Sequence, residues 1–380
     1  MGRFVKLLSL ELENYRSFKK ALLPLKPFTI LVGPNACGKT NTIKALSLLG
    51  HLVRLEASVL KDQDFLVNEL WAGGSDTLGF TLKFTIGLDL ASYSIRLRAG
   101  ADWLVSERLM VGDVPVIDIH EGKGTVRDED GENPTPFRGF QIALRSVGNY
   151  GKRKEITSAI ADFIANWETY NIDPLDIRNG HQAHGKNGGG LLSPRGFNLN
   201  RMLKHWYLAK PEIFASIVDD LQELCGRKLS PMDIDKALFC FEESYDRPIR
   251  FTDASDGMLR LLAYLVVFNQ VERPGLITLE EPDRALHPEI LYKLTDLLVR
   301  LSEKTQLIVT THSGDLLDAI APERIGQDVE VLLLNHQVGI GSTALPLSRQ
   351  DRYGENVLEW AREFGLGSSV IYNLATPGGG

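Results

Sequence analysis

The chain has 380 residues, of which 43% are hydrophobic and 24% are charged. These values indicate a globular protein that buries a large core, as one elaborate domain or as two lobes. The formal net charge of -7 argues against a protein that coats DNA nonspecifically, and three cysteines are too few for a disulfide framework or a zinc knuckle. The sequence shows no signal peptide and no apolar run long enough to span a membrane, so we expect a cytoplasmic protein.

Strands dominate the prediction for the first part of the chain. Alternating residues predict paired strands at 5–12 and 21–25, and the apolar run FTILV predicts a buried strand at Phe28–Val32. From Lys39 onward the periodicity is helical. Further strands are expected in the stretch from 78 to 97, near 103–110 and near 114–119, which together indicate a strand-rich lobe.

The middle of the chain, roughly 155–236, has a mostly helical pattern. It is interrupted at 179–196 by a stretch rich in Gly, Asn and His that is typical of a loop. His181 and His184 lie there, but no third ligand stands at a convincing spacing, so solvated loop histidines are favoured over a metal pair. After residue 255 helices and apolar strands alternate, which predicts a parallel α/β sheet.

The strongest single motif is GPNACGKT at residues 33–40, which satisfies G-x-x-x-x-G-K-[ST] between an apolar strand and a helix. In such a loop backbone N–H groups surround the β-phosphate, Lys39 reaches the β- and γ-phosphates, and Thr40 contacts Mg²⁺. Cys37 fills a variable position and is interpreted as a small residue, not a redox sensor. The sequence therefore predicts a site for ATP and Mg²⁺. The expected nucleotide contacts from this segment are Gly33, Asn35, Gly38, Lys39, Thr40 and Asn41.

A phosphate loop needs acidic partners at the end of another strand, and LITLEEP supplies them. Glu280 is expected to hold the water shell of Mg²⁺ together with Thr40, and Glu281 to polarise the attacking water. His312 ends the next apolar strand, where a histidine can hydrogen-bond the γ-phosphate. The alternatives are an exposed acidic turn and a structural histidine. The predicted catalytic residues are Glu281, His312 and Lys39.

The stretch TDASDGMLRLL, residues 252–262, runs from an acidic, serine-containing turn into a hydrophobic helix. Ser255 and Asp256 are good helix-capping residues, because their side chains accept hydrogen bonds from the first free backbone N–H groups. Capping is the local explanation, although one capping residue would be enough for it. Whether this helix end also binds an anion depends on the rest of the chain.

Taken together, NYRSF, GPNACGKTN, DASDGMLRLLAYL, LITLEEPDRALHP and VTTHSGDLLD resemble, in order and spacing, the motifs of ABC-type ATPase heads. Such heads occur in RecF, in structural maintenance of chromosomes proteins and in the overcoming-lysogenization-defect nucleases. The resemblance is greatest to a stand-alone branch of bacterial predicted ATPases, often labelled AAA-type, and it includes the middle segments WETYNIDPLDIR and GFNLNRML. It implies an α/β fold of the P-loop NTPase, ABC-ATPase head type, with a mixed sheet lobe and a helical insertion.

The resemblance also implies a homodimer that sandwiches ATP. Ser255 and Gly257 of one copy would face the γ-phosphate held by the other copy, supplying a hydroxyl and a backbone N–H. Asp256 is expected to face away or to cap its own helix, because its charge would repel a triphosphate. Arg16 of NYRSF is a candidate phosphate contact, with an ordinary hairpin arginine as the alternative. Glu280 stands where an Asp is usual.

Three further positions carry weaker expectations. Gln141 is a guess for the glutamine that contacts Mg²⁺ in transporter heads. Ala285 and His287, in the loop after Glu281, are candidates for contacts with the partner copy.

The motif positions divide the chain into an N-terminal ATPase lobe at 1–150, a mostly helical insertion at 151–250 and a C-terminal ATPase lobe at 251–380. The predicted function is a Mg²⁺-dependent ATPase that dimerises on ATP and uses hydrolysis as a switch acting on DNA or a partner protein, in DNA repair or anti-phage defence. One alternative is an ATP-gated regulatory subunit of a separate effector protein.

A second alternative is an ATPase-nuclease. It is disfavoured because only about 70 residues follow His312, too few for a separate nuclease domain. Asp128/Asp130 and Asp233/Asp235 are the acidic pairs available for it, and both are expected to face solvent.

Overall fold

The computed structural model of the chain describes residues 5–54, 65–99, 104–128, 131–136, 142–146, 155–180, 190–242, 247–349, 356–368 and 370. These residues form two large β-sheets, one small sheet and the helices that cover them. No helix in this part of the chain is long and apolar enough to cross a lipid bilayer.

The first large sheet is antiparallel and has eight strands in the order β2-β1-β4-β5-β6-β7-β8-β9. Its strands are β1 (Val5–Tyr15), β2 (Phe18–Pro24), β4 (Thr77–Ile86), β5 (Asp89–Arg98), β6 (Leu104–Val111), β7 (Val114–His120), β8 (Lys123–Asp128) and β9 (Gly131–Pro136). The expected pairing of the first two strands, and the strands expected between 78 and 119, are confirmed.

The second large sheet has six strands in the order β10-β14-β15-β3-β16-β17, and only its last pair is antiparallel. Its strands are β3 (Phe28–Val32), β10 (Glu168–Tyr170), β14 (Leu276–Glu280), β15 (Gln306–Thr311), β16 (Val329–Gln337) and β17 (Gly341–Pro346). The parallel sheet predicted after residue 255 is confirmed, and β3 has the predicted bounds.

Helices cover both large sheets. They are α1 (Lys39–Arg54), α2 (Phe65–Glu69), α3 (Ala143–Ser146), α4 (Glu155–Ala165), α5 (Pro174–Gly180), α6 (Leu199–Ala209), α7 (Pro211–Cys225), α8 (Asp256–Phe268), α9 (Pro288–Ser302), α10 (Gly314–Asp318) and α11 (Asn356–Phe364). Single 3₁₀ turns occur at Pro322–Arg324 and Leu347–Arg349.

The middle of the chain is less purely helical than its sequence pattern indicates. Its strand β10 pairs in parallel with β14, so the middle region supplies an edge strand of the central sheet. A third sheet follows, formed by β11 (Lys228–Asp233), β12 (Leu238–Glu242) and β13 (Ile249–Arg250). The helical part of the expectation holds for α4 to α7.

Alternate residues of β3 join two different hydrophobic cores, because successive side chains of a strand point to opposite faces. Ile30 is buried among residues of α8, including Leu262. Leu31 is buried among residues of α1, including Leu46, and of the antiparallel sheet. The central sheet is therefore covered on both faces, as its continuous apolar strands predict.

A buried carboxylate on β6 ties α3 to the antiparallel sheet. Glu107 accepts hydrogen bonds from the Tyr93 hydroxyl at 3.0 Å and from the backbone N–H groups of Ala143 and Leu144 at 2.6 and 2.8 Å. Burial raises the pKa of Glu107 to about 7, and the two backbone donors oppose that shift.

Three parallel strands end at the same edge of the central sheet, and the motif residues follow them. The phosphate loop follows β3, Glu280 and Glu281 stand at the end of β14, and His312 comes directly after β15. In a parallel α/β sheet ligands bind outside the carboxyl ends of the strands. The fold therefore brings these residues to one edge.

Candidate functional site

The phosphate loop is a tight turn between β3 and α1. Gly38 has a φ of 114°, a conformation that residues with a side chain rarely adopt, and a Cβ there would lie 2.8 Å from the ring of Phe18. Asn35 is exposed in the loop, and Gly33 is buried. The loop therefore has both the conformation and the glycine placement that a phosphate cradle requires.

Lys39 lies over the loop that precedes it. Its Nζ donates to the carbonyl oxygens of Gly33 at 2.7 Å and Pro34 at 2.9 Å. Burial lowers the pKa of Lys39. The neighbouring Cys37 is buried, and burial raises the pKa of its thiol, which agrees with its interpretation as a small loop residue.

Thr40 and Glu280 meet between the first turn of α1 and the end of β14. Thr40 Oγ1 lies 3.5 Å from Glu280 Oε2, and the Thr40 side chain is exposed. Burial raises the pKa of Glu280, the adjacent Glu281 raises it further, and Lys44 opposes the shift. The hydroxyl oxygen of Thr40, from α1, and a carboxylate oxygen of Glu280, from β14, thus lie together beside the phosphate loop.

Glu281 and His312 also come together. His312 Nε2 lies 3.6 Å from Glu281 Oε1, and about two fifths of each side chain is exposed, at 40% and 42%. Glu281 has a φ of 45°, a left-handed conformation that is strained for a residue with a side chain and that recurs at functional sites. The carboxylate that follows this turn stands beside the histidine.

Two threonines of β15 hold the turn after β14 in place, and the sequence alone did not single them out. The Glu281 N–H donates to the carbonyl and to the hydroxyl of Thr310, both at 3.1 Å. Thr311 Oγ1 donates to Asp283 Oδ1 at 2.7 Å. Their position one or two residues before His312 in VTTHS was the available signal.

The β1–β2 turn contacts the start of α1 through its serine. Asn41 Nδ2 donates to Ser17 Oγ at 2.9 Å. Arg16, a candidate phosphate contact from the sequence, forms a bidentate ion pair with the buried Glu69 of α2. The described contacts of Arg16 are those of the alternative interpretation, a structural hairpin arginine.

The helix α8 begins with an exposed cap. Ser255 is its N-cap residue and accepts a hydrogen bond from the Met258 N–H at 3.3 Å, as the sequence predicts. Ser255 and Asp256 are exposed, and Asp256 forms an ion pair with Arg178 at 2.8 Å. The Ser255 and Asp256 side chains at this helix tip are therefore accessible to a ligand or to another chain.

Gly257 is buried, and packing within its own chain explains why a glycine stands at this position. A Cβ at this position would lie 2.3 Å from the carbonyl oxygen of Ala285. The helix tip thus packs directly against the loop that follows Glu281. His287, a candidate partner contact, is the N-cap of α9 and accepts from the Glu289 N–H at 3.4 Å.

Some predicted positions lie outside the described residues. These are Gln141, His181, His184 and Asp130. Asp233, one of the acidic residues expected to face solvent, stands at the end of β11 and forms an ion pair with Lys236 at 2.8 Å. Among the described residues no group of three or more His, Cys, Asp or Glu side chains is placed to hold a metal ion.

Two family models match separate parts of the chain. An AAA ATPase domain matches residues 6–94, which include the phosphate loop. An AAA domain described as putative AbiEii toxin, Type IV TA system, matches residues 169–319, which include the helix tip, Glu280, Glu281 and His312.

Two curated proteins are similar in sequence. The Old nuclease of Escherichia phage P2 is 23% identical over 358 residues, which cover 83% of this chain and 58% of the nuclease. Structural maintenance of chromosomes protein 1 of Arabidopsis thaliana is 46% identical over 61 residues, 15% of this chain and 5% of its own length. The chain thus spans little more than half the length of the first relative and a small part of the second.

The fold is that of the Smc ATPase heads. The Smc head bound to the C-winged helix domain of ScpA has a TM-score of 0.54 at 16% identity, covering 90% of this chain and 98% of that one. The Pyrococcus furiosus Smc head with an extended coiled coil, bound to the C-terminal domain of ScpA, has a TM-score of 0.53 at 14% identity, covering 98% and 100%. These comparisons confirm the resemblance to ABC-type ATPase heads that the motifs indicate.

Proposed function

We propose that the protein is a Mg²⁺-dependent ATP hydrolase whose two copies close head to head on ATP. The observation that carries the proposal is the convergence of the phosphate loop, the Glu280–Glu281 pair and His312 at one edge of the central sheet. Thr40 lies 3.5 Å from Glu280, and Glu281 lies 3.6 Å from His312. These are the parts that phosphoryl transfer to water requires.

The residues present fit a divalent cation. Thr40 offers a hydroxyl and Glu280 a carboxylate whose pKa is raised by burial, so a nearby positive charge would stabilise its ionised form. When bound, Mg²⁺ would neutralise charge on the β- and γ-phosphates. Thr40 and Glu280 would hold it together with phosphate oxygens and water, which suits a site with few protein ligands.

Glu281, His312 and Lys39 would each have a separate role in hydrolysis. The Glu281 carboxylate would accept a proton from the attacking water, and its strained turn fixes the direction in which it points. His312 would donate a hydrogen bond to the γ-phosphate. Lys39 would exchange the carbonyl oxygens of Gly33 and Pro34 for phosphate oxygens, a stronger charge-assisted interaction.

The exposed tip of α8 supports closure between two copies. The helix is 13 residues long, and its N-terminus presents the Ser255 hydroxyl to solvent. A γ-phosphate held by a second copy would gain from that hydroxyl and from the helix dipole. Closure would therefore depend on ATP, and hydrolysis would remove the group that both copies contact.

The closed dimer would act as a switch on DNA or on a partner protein, of the kind that serves DNA repair or anti-phage defence. An ATP-gated regulatory subunit of a separate effector has the same head chemistry and differs only in what the dimer contacts. Similarity to the Old nuclease over 83% of the chain is the observation that keeps an ATPase-nuclease as a third candidate. The ion pair of Asp233 with Lys236 weakens one acidic pair available to it.

The test is a comparison of the wild-type chain with Glu281→Gln. In Mg-ATP both should dimerise by light scattering, and Glu281→Gln should stay dimeric while its hydrolysis rate falls by about a hundredfold or more, since it loses the general base. Lys39→Ala, which removes the phosphate contact, is the monomeric control. A wild-type chain that stays monomeric in excess Mg-ATP contradicts the closure, and one that hydrolyses no ATP contradicts the enzyme. Plasmid cleavage with Mg²⁺ or Mn²⁺, lost on substitution of Asp233, would instead favour the nuclease.

A further inference from the structure

The segment WETYNIDPLDIR, residues 167–178, has no part in the chemistry described so far. It starts with β10 at the edge of the central sheet and continues into α5. This course carries it from the sheet that holds Glu280 to the tip of α8. Its last residue, Arg178, contacts that tip.

Arg178 binds the chain on both sides of Ser255. Its Nη2 donates to the carbonyl oxygen of Ala254 at 2.6 Å and to Asp256 Oδ1 at 2.8 Å. A terminal guanidinium nitrogen carries two hydrogens, so one nitrogen satisfies both acceptors. The Arg178 side chain is 22% exposed and the Asp256 side chain 57% exposed, so the pair lies at the surface beside the cap.

The helix that carries Arg178 is itself fixed. Asp173 and Asp176 of this segment both form ion pairs with Arg195. Gly180, the last residue of α5, lies so close to the backbone of Phe197 that a Cβ would stand 1.8 Å from its carbonyl oxygen. These contacts limit the freedom of α5, so Arg178 reaches the helix tip from a defined position.

The same segment is also tied to the far end of α8. Gln270, two residues beyond that helix, donates to the Tyr170 hydroxyl at 3.2 Å and accepts from the Leu192 N–H at 2.7 Å. Both ends of α8 are therefore hydrogen-bonded to the middle region, through Arg178 at its start and through Tyr170 and Leu192 beyond its end.

We infer that Arg178 is a positioning residue for the contact between copies, which holds the Ser255 cap in place and neutralises Asp256 so that a second copy's triphosphate can approach. The inference rests on the proposed closure. An unpaired Asp256 carboxylate next to Ser255 would repel the γ-phosphate. With Arg178 in place the tip presents a hydroxyl and a helix N-terminus, and the adjacent negative charge is already paired.

The experiment compares Arg178→Ala with the wild-type chain. Dimerisation in Mg-ATP is followed by light scattering, and nucleotide binding by titration with a fluorescent ATP analogue at a concentration where the chain is monomeric. We expect Arg178→Ala to need about tenfold more protein or more to dimerise, because the unpaired Asp256 carboxylate would repel the triphosphate of the second copy. Its affinity for the analogue should be unchanged, because the phosphate loop is untouched. Arg96→Ala, which breaks the Arg96–Glu13 pair at 2.6 Å in the antiparallel sheet, is the matched control and should dimerise normally.

Two further variants separate positioning from a general loss of structure. Arg178→Lys keeps the positive charge and should dimerise nearly as well as the wild type. Adding Asp256→Asn to Arg178→Ala removes the repelling charge and should recover most of the lost dimerisation. Removing a second contact would not rescue a chain that had merely lost stability.

The outcomes separate a failure of the proposed closure from a failure of the role inferred for Arg178. If the wild-type chain stays monomeric in Mg-ATP, the proposed closure fails and the role of Arg178 fails with it. If the wild type dimerises and Arg178→Ala does so at the same concentration, only the inference is wrong. The inference is also wrong if Asp256→Asn gives no rescue, or if Arg178→Ala weakens nucleotide binding as much as dimerisation.

Discussion

The phosphate loop with its acidic neighbours and the tip of α8 differ in how their charges are balanced. At the phosphate loop, two adjacent carboxylates stand together, and burial raises the pKa of Glu280. At the helix tip, Asp256 is paired with Arg178, and Ser255 caps its own helix. In the first region a bound cation would stabilise the ionised carboxylates. In the second region the Asp256 charge is already paired within the chain, and the exposed helix tip can contact another copy. Substitutions in the first should therefore change nucleotide binding or hydrolysis, and those in the second should change association between copies and leave nucleotide binding by the monomer intact.

The largest effect is expected for Lys39→Ala. This substitution removes the ammonium group that donates hydrogen bonds to Gly33 and Pro34 of the phosphate loop. Affinity for ATP should fall by about a hundredfold or more, since charge-assisted hydrogen bonds to phosphate are lost. Titration with a fluorescent ATP analogue measures this. Lys20→Ala, which breaks an exposed ion pair with Glu11, serves as the control and should bind ATP normally. Equal affinities for Lys39→Ala and wild type would remove the basis for the nucleotide site.

An intermediate effect is expected for Ser255→Asp, which separates the two roles of the helix tip. Aspartate caps a helix as well as serine does, so the thermal midpoint of unfolding should hardly change. A second negative charge at the tip would repel the triphosphate of another copy, so dimerisation in Mg-ATP should weaken by about tenfold or more. ATP binding by the monomer should be preserved.

The matched variant for that experiment is Ser255→Ala, which loses about 1 kcal/mol of capping and adds no charge. It should be less stable than Ser255→Asp and should dimerise better. The reverse order of dimerisation would show that the tip acts only as a helix cap.

The smallest effect is a pH-dependent difference in stability for Glu280→Gln without nucleotide. Because the folded pKa of Glu280 is raised, the folded chain binds this proton more tightly than the unfolded chain does. The stability of the wild type therefore decreases as the pH rises from the ordinary glutamate value through the raised folded value. Glutamine has no such proton. The unfolding midpoint of Glu280→Gln should accordingly exceed that of the wild type increasingly over this range, as thermal melts at several pH values would show.

Asp256→Asn, at the helix tip, is the substitution to compare with Glu280→Gln in the same thermal melts. It removes a carboxylate that is already paired with Arg178, so it should not raise the unfolding midpoint at any of these pH values. A gain in stability from Asp256→Asn equal to that from Glu280→Gln would show that the two regions do not differ in charge balance.

Local patterns in the sequence were sufficient to predict the central strands and the phosphate loop. Phe28–Val32 is apolar throughout and is followed by the glycine-rich turn, so both its bounds and the turn that follows it could be predicted. The cap of α8 could be predicted as well, since Ser255 precedes a helical repeat of leucines. In each case the pattern that indicates the element lies within a short stretch of the sequence.

Interactions between distant residues were not predictable in the same way. Arg16 pairs with Glu69 and Arg178 with Asp256, and no local period relates either pair. Glu168–Tyr170 is too short for a strand pattern, and it becomes one only because β14 lies beside it. These features depend on tertiary packing, which a single sequence does not display.

The outer edge of the antiparallel sheet has a consequence for behaviour at high concentration. Its last strand, β9, carries prolines at 134 and 136, and within the part of the chain that the structure describes it pairs with β8 alone. Prolines have no N–H and occur in strands where the nitrogen faces away from the neighbouring strand. Two residues of this strand therefore have no N–H to donate to a strand from another molecule, and prolines on an edge strand oppose association through sheet edges.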